Sequence, residues 1–461
     1  MTQPASTNSA ADVEANKNVE RLPDSYYTQF LSASALKRKP SPIRGLFPLE
    51  NTPGLISLLA GKPNPTTFPF TELSFKTRSP TNPEEEITLT VDGDELKQGL
   101  QYSDTAGTKP LLDWLFGLQE RFHGRKRGEG WRISVGSGSQ DLIYKAVQAL
   151  VNPRDPVLVE SPVYAGTIPM FENLSCEQIE VETDAQGICS GSLRYILESW
   201  PTGKPKPKIL YTVPYGCNPT GMTATLERRK EVLQLAQEHD FLILEDDPYF
   251  YLYYGEAPRY PSYFALEQAD LKQTGHVLRF DSFSKVLSAG IRIGFASGPT
   301  PLLTAIDTHT ATSNLQSSSL TQAIAATLLN SWGYDGFQAH IERVADFYRE
   351  KRDVFERAMK KHLQGLAEWS TPEAGMFFWF KLLLYDDPSE DGDSKAVIET
   401  TAFNRGVLAL PGTAFLPNGR KTAYVRASFS LTPEEDVDTA IGRLRDAILD
   451  AKKELLEKKA V

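Results

Sequence analysis

Lys285 stands in "FDSFSKVLSAGIRIGF" (280–295), where a strand-like run ending at Phe280 breaks into small polar residues, delivers one lysine and reaches Arg292 seven residues later. An ordinary surface lysine has a pKa near 10.4, so at pH 7 well under ~0.1% of it is the neutral amine that attacks a carbonyl. A chemical role for Lys285 therefore depends on its company. Gly138, Ser139 and Gln140 follow "WRISVG", and Tyr164 follows "PVLVES". Asn218, in "NPTG", follows "ILYTVPYGC"; Asp246 and Tyr249 come at the end of "LILE"; Ser282, Ser284 and Lys285 follow "VLRF".

Singly, each has a plainer reading. Gly138, Ser139 and Gln140 can simply start a helix, "NPTG" is a turn by composition, and a lone lysine is usually a solvated one. Together they read differently. A glycine-flanked helix start offers backbone N–H groups to a phosphate, and a carboxylate at a buried strand end needs a cationic or hydrogen-bonding partner. Aromatic rings and an amine complete the requirements of pyridoxal phosphate, whose aldehyde captures a lysine as a Schiff base and so makes use of it at neutral pH. Two other phosphate signatures are absent: Asp141 occupies the last glycine of G-x-G-x-x-G, and Pro63 interrupts a P-loop reading of "AGKP".

The elements that carry these residues alternate. "WRISVG", "PVLVES", "PKILYTV", "FLILED" and "HVLRFD" are short apolar or β-branched runs, separated by stretches such as "SQDLIYKAVQAL" with helical spacing. That pattern implies an α/β fold, a three-layer sandwich around a mostly parallel sheet, with ligands collecting beyond the carboxyl ends of the strands. After about residue 335 longer helices and separated strands take over, which implies a smaller α+β domain. With 461 residues the chain exceeds one core's usual size. The expected division is a flexible N-terminal segment (1–33), an arm joining the small domain (34–69), a large cofactor-binding domain (70–345) and a small C-terminal domain (346–461). "RSPTNPEEEITLTVDGDE" (78–95) reads as a surface loop with one short strand, Ile87 to Val91.

Composition narrows the class. Hydrophobic residues make up 40% and charged residues 23%, as in an ordinary globular protein, and the net charge of −10 leaves no basic field for nucleic acid. Cys176, Cys189 and Cys217 pair with nothing in a metal-ligand spacing, and their odd number suits a reducing compartment. No apolar run is long enough for a membrane span, and the first twenty residues lack a targeting pattern. The expectations are no metal, no membrane and a cytoplasmic location.

In combination and order, "SPIR", "QYSDTAG", "GSQ", "NPTG", "EDDPY", "SFSK", "PGTAF" and "YVRASFS" resemble the fold-type I pyridoxal-phosphate aminotransferases. The likeness is to fungal aromatic-amino-acid aminotransferases and kynurenine/2-aminoadipate aminotransferases. It implies that Lys285 bonds the cofactor and shuttles the substrate proton, that Asp246 pairs with the pyridine nitrogen, and that Tyr164 stacks on the ring. Asn218 and Tyr249 are implied to bond the ring oxygen, and Ser139, Gln140, Ser282, Ser284 and Arg292 to hold the phosphate. Tyr102 is implied to reach the phosphate of a neighbouring subunit, hence a homodimer with shared active sites. Arg426, with Asn218, is implied to grip the substrate carboxylate, with Arg44 and Gly61 on a mobile covering segment.

The activity implied is transamination of phenylalanine, tyrosine and tryptophan with 2-oxoglutarate, ping-pong through pyridoxamine phosphate. 2-Aminoadipate or kynurenine are the alternative donors, and dual specificity is expected because the arm offers both Arg44 and apolar side chains. Cys217 departs from the polar residue that relatives often carry before "NPTG".

Overall fold

The structure is a computed structural model describing residues 19–459 other than 40, 44, 45, 47, 48, 51, 60, 386 and 388–391. Among these the large sheet comprises β1 (Trp131–Gly136), β2 (Pro156–Ser161), β3 (Glu177–Asp184), β4 (Gly187–Ile188), β5 (Ile209–Thr212), β6 (Leu242–Asp246), β7 (Val277–Ser282) and β8 (Gly294–Pro299). Their spatial order is β1-β8-β7-β6-β5-β2-β3-β4. The run β7-β6-β5-β2-β3 is parallel, β8 is antiparallel to both β7 and β1, and β4 turns back on β3. β1 therefore points the same way as the parallel set, and the five runs expected from the sequence end along one edge.

Three strands of this sheet escaped the sequence reading, one of them the two-residue β4. β3 is a polar, half-exposed strand, and β8 ("GFASGP") is rich in glycine, which ordinarily argues against a strand. The glycines of β8 are there for close approach. A Cβ on Gly294 would lie 2.4 Å from the backbone nitrogen of Ser139, and one on Gly298 would lie 2.8 Å from Leu278 Cδ1.

Alternation along the buried strands divides their side chains between two cores. On one face Ile133, Leu210, Ile243 and Phe295 pack with Leu111, Trp114 and Leu118 of α1 (Lys109–His123). On the other, Val159, Tyr211, Leu244 and Phe280 pack with Leu142, Ala146 and Leu150 of α2 (Ser139–Leu150). Both faces are thus covered by helices, as a parallel sheet requires.

A second, antiparallel sheet has the order β9 (Ala367–Trp369), β10 (Phe377–Leu382), β12 (Tyr424–Ser428), β11 (Leu410–Pro411). Phe378, Phe380 and Val425 on one face pack with Val437, Ile441, Leu444 and Ile448 of α4 (Glu434–Lys459), the stripe expected from its spacing. The long helix α3 (Ser319–Leu363), kinked at Gly333, serves both units: Leu329, Phe337 and Ile341 join the large core, Phe355 and Met359 the small one. The boundary expected near residue 345 falls inside it.

The N-terminal expectation needs correction from residue 20 onward. Glu20–Arg21 pairs in parallel with Gln273–Thr274, Tyr27 and Phe30 are buried against the α2 core, and Ser32 caps the turn Ala33–Lys37 while donating to the Gln148 carbonyl at 2.9 Å. Buried aromatic area outweighs the polar composition that suggested mobility. The 78–95 stretch is likewise more ordered than a loop, since Leu73–Arg78 and Glu86–Val91 form an antiparallel pair.

Candidate active site

Strand ends β1, β2, β6 and β7, together with the loop after β5, converge on a cavity of about 240 Å³. Its walls include Ser139, Gln140, Tyr164, Asn218, Asp246, Tyr249, Ser282, Ser284, Lys285 and Arg292, along with Val213, Pro248, Ala289 and Phe377. Ten of the side chains singled out from the sequence therefore share one space. Tyr102 is 51% exposed and lies outside this lining. Gly61 also lies outside it, in open surroundings where an added Cβ would meet nothing within 4 Å. Arg44 lies outside the described residues.

At the floor, Asp246 ends β6 on the α2 side of the sheet. Tyr211, on the neighbouring β5, donates to Asp246 Oδ2 at 2.6 Å, whereas Oδ1 is buried without a partner. Burial pushes the Asp246 carboxyl up to about 7, against the Tyr211 hydrogen bond, with Asp247 and Asp281 adding to the rise and Lys285 opposing it. An orphaned carboxylate oxygen in a closed site calls for an N–H donor or a cation.

The opposite end is cationic. Ser282 Oγ accepts from the Ser284 N–H at 3.2 Å and tightens the turn Phe283–Lys285 that presents Ser284 and Lys285. Arg292 donates to the carbonyls of Ser137 (2.9 Å) and Ala289 (3.1 Å) and to Ser284 Oγ (3.2 Å). It has no carboxylate partner among the described residues, so its charge can serve an anion. Beside it α2 begins at Ser139 after Gly138, and no side chain caps it. Its first N–H groups are thus open to an anion. Burial lowers the Lys285 pKa, Asp246 raises it and Arg292 lowers it further.

These features fit pyridoxal phosphate: a phosphate end with a helix start and an arginine, an amine midway, and an unpaired carboxylate oxygen for a ring nitrogen. Gly138 is the tightest part of the cradle. Its φ is +90°, and an added Cβ would sit 2.4 Å from Arg292 Nη2. Gly138→Ala is expected to displace the guanidinium and raise the cofactor Kd by about tenfold or more, measured by titrating cofactor into the cofactor-free protein.

Arg426 reaches the same place from β12 of the small unit. It donates to Asn218 Oδ1 at 2.9 Å, its carbon Cζ lies 4.4 Å from the Phe377 ring centroid and 5.2 Å from that of Phe415, and its Nε is buried without a partner. Sequence reading missed both rings, as well as Tyr211 and Glu160. Glu160, near the end of β2, accepts from Thr212 Oγ1 (2.6 Å), the Val213 N–H (3.1 Å) and Cys217 Sγ (3.6 Å), and so holds the segment leading to Asn218. Cys217 is buried against that carboxylate, and burial raises its thiol pKa. It is not part of the cavity lining.

Known proteins resemble this chain in sequence and fold. A chain from Emericella nidulans, Aminotransferase tdiD, is 44% identical over 90% of this chain and 94% of its own length. The mitochondrial kynurenine/alpha-aminoadipate aminotransferase of Mus musculus is 40% identical over 92% of this chain and 99% of its own. Among solved structures, the aromatic aminotransferase Aro9 from Candida albicans superposes with a TM-score of 0.80 at 26% identity, covering 93% of this chain and 99% of that one. The family model "Aminotransferase class I and II" matches residues 94–444. The chain therefore belongs to the class I and II aminotransferases, the pyridoxal-phosphate-dependent enzymes that move amino groups between amino acids and oxo acids.

Proposed function

We propose that the enzyme transaminates phenylalanine, tyrosine and tryptophan with 2-oxoglutarate in a ping-pong cycle. The observation that carries this reading is Arg426 set between the rings of Phe377 and Phe415, a carboxylate grip bordered by aromatic surface. The name of the Candida albicans structure supports aromatic donors, and that of the mouse relative supports kynurenine and 2-aminoadipate as further ones.

When bound, pyridoxal phosphate supplies an aldehyde that takes up the amino group and a ring that draws electron density from the substrate α-carbon. The chain supplies the rest. Asp246 keeps a proton on the ring nitrogen, and Lys285, its amine made more available by burial, carries the proton leaving the substrate α-carbon. Tyr164 would pack over the ring, Asn218 and Tyr249 would bond its oxygen, and Ser139, Gln140, Ser282, Ser284 and Arg292 would hold the phosphate. A homodimer, with Tyr102 completing the partner's phosphate site, is part of the proposal; the exposure of the Tyr102 ring supports it.

Arg426 holds the α-carboxylate with its planar fork. Arg426→Leu removes a charge-assisted contact worth about 1.5–3 kcal/mol, so kcat/KM for the amino donor is expected to fall roughly 10- to 150-fold with the cofactor's spectrum unchanged. Arg426→Lys should show a smaller fall, because charge survives without the fork.

The deciding experiment follows the visible band of the purified holoenzyme. L-Phenylalanine and L-2-aminoadipate should each bleach it, and 2-oxoglutarate should restore it. Bleaching by only one of the two refutes dual specificity, and a band that phenylalanine leaves unchanged refutes the aromatic assignment.

A further inference from the structure

On the α1 side of the large sheet, opposite the Asp246 face, lies a bowl of about 770 Å³ lined by residues that include Phe122, His123, Phe250, Arg259, Arg121 and Lys272. Arg259 is unusual. Its guanidinium carbon lies 4.8 Å from the Phe250 ring centroid and 5.9 Å from that of Phe122, its Nε is buried without a hydrogen bond, and it makes no ion pair among the described residues. Burial lowers its pKa; Asp247 and Glu342 are near enough to favour its charge, but Asp247 is held by Arg279 at 2.8 Å. Of the five N–H donors of Arg259 the one on Nε is buried without an acceptor, and leaving a donor unmet away from water is costly.

His123 adds a second unpaired group to the same wall. It is 5% exposed, its Nδ1 lies 2.7 Å from Ser262 Oγ, and its Nε2 has no partner. Ser262 Oγ also accepts the Ala265 N–H at 3.1 Å; when its own hydrogen points to Nδ1, the imidazole proton resides on Nε2. Burial, with Arg279, Arg259 and Arg125 nearby, holds the ring neutral. Arg259 Nε and His123 Nε2 are thus both unpartnered at one bowl, and among the described residues no carboxylate lines it.

We propose that this bowl is a second binding site, for a carboxylate with an apolar body. Arg259 and His123 Nε2 take the carboxylate, and Phe122 and Phe250 flank the body. An amino acid is disfavoured because its ammonium would meet Arg259, Arg121 and Lys272 with no acid to receive it. The oxo acids handled by an aminotransferase satisfy the same chemistry without that penalty; this link rests on the family's activity. Tyr249 lines the catalytic cavity and Phe250, the next residue, lines the bowl, so the two sites share one segment of wall.

The test is calorimetric titration of the holoenzyme with 3-phenylpropionate, which has neither an amino nor an oxo group and cannot turn over. Two sites per chain are expected, one lost in Arg426→Leu and the other weakened by about tenfold or more in Arg259→Met. Arg259→Met keeps an apolar stem over Phe250 and should retain catalytic turnover. Arg259→Lys, which keeps the charge but not the fork, should weaken the second site several-fold, and 3-phenylpropionamide should not bind there. Two sites of unchanged affinity in both Arg259 variants, or a single site that vanishes with Arg426→Leu, would overturn the proposal. Loss of the Arg426-dependent site bears on the proposed function alone, so the two readings fail separately.

Discussion

Lys285→Ala is expected to lower kcat by about 10⁴-fold or more, the upper end of what one positioned acid–base group contributes, while the protein still folds and binds cofactor. The lysine ends a short turn whose geometry is set by the Ser282 side chain accepting from the Ser284 N–H, not by Lys285 itself. Arg292, Ser284 and the start of α2 also remain in place to hold a phosphate. The measurement is single-turnover kinetics with L-phenylalanine, alongside a cofactor titration. A variant retaining more than about a tenth of wild-type turnover would remove Lys285 from the chemistry.

A pH prediction accompanies it. Burial and Arg292 lower the Lys285 pKa from its ordinary 10.5, so the neutral amine becomes available at lower pH than for a surface lysine. The rate at which cofactor-free protein captures pyridoxal phosphate should therefore rise with pH, with its midpoint below 10.5. A midpoint at or above that value would contradict the assignment.

Asp246→Asn is the second large effect, expected to cost about 10²–10³-fold in kcat, as for loss of one preorganised electrostatic partner. The substitution keeps the shape and the acceptor for Tyr211 but removes the charge that keeps a proton on the ring nitrogen. Tyr211→Phe should act in the same direction and less strongly. It deletes a hydrogen bond to a charged group, worth about 1.5–3 kcal/mol, and lets the Asp246 pKa rise further above about 7. The pH profile separates positioning from packing: Tyr211→Phe should move the acid limb of kcat to higher pH, because a carboxylate of higher pKa ionises later. An unshifted limb with reduced activity would mean that Tyr211 only fills space.

Much of this site was legible in the sequence because its residues follow strands. Short apolar runs alternating with helical spacing imply a parallel sheet, and in such a sheet every polar group just beyond a carboxyl end points toward the same edge. Ser139, Tyr164, Asn218, Asp246 and Lys285 are far apart in the chain, yet their positions after a strand were enough to place them together. The cradle glycine Gly138 was visible for the same reason.

What the sequence could not show depends on partners distant in the chain. The three consecutive acids Glu245, Asp246 and Asp247 look alike in "EDDPY", but the pleat divides them. Glu245 accepts from the Tyr263 and Phe264 N–H groups and Asp247 from Arg279, whereas Asp246 alone of the three lines the cavity. β8 was hidden because its glycines serve contacts with Ser139 and Leu278 and carry no hydrophobic pattern. Residues 20–33 looked mobile because Tyr27 and Phe30 gain their burial from a core formed mainly by residues 142 onward. The sequence by itself carried, in the order of its motifs, the resemblance that implies the family and the cofactor, and its local spacing marked the polar residues after each strand. Only the tertiary structure decided which atoms lack partners, Asp246 Oδ1 in the catalytic cavity and His123 Nε2 in the bowl, because satisfaction of a polar atom depends on everything packed around it.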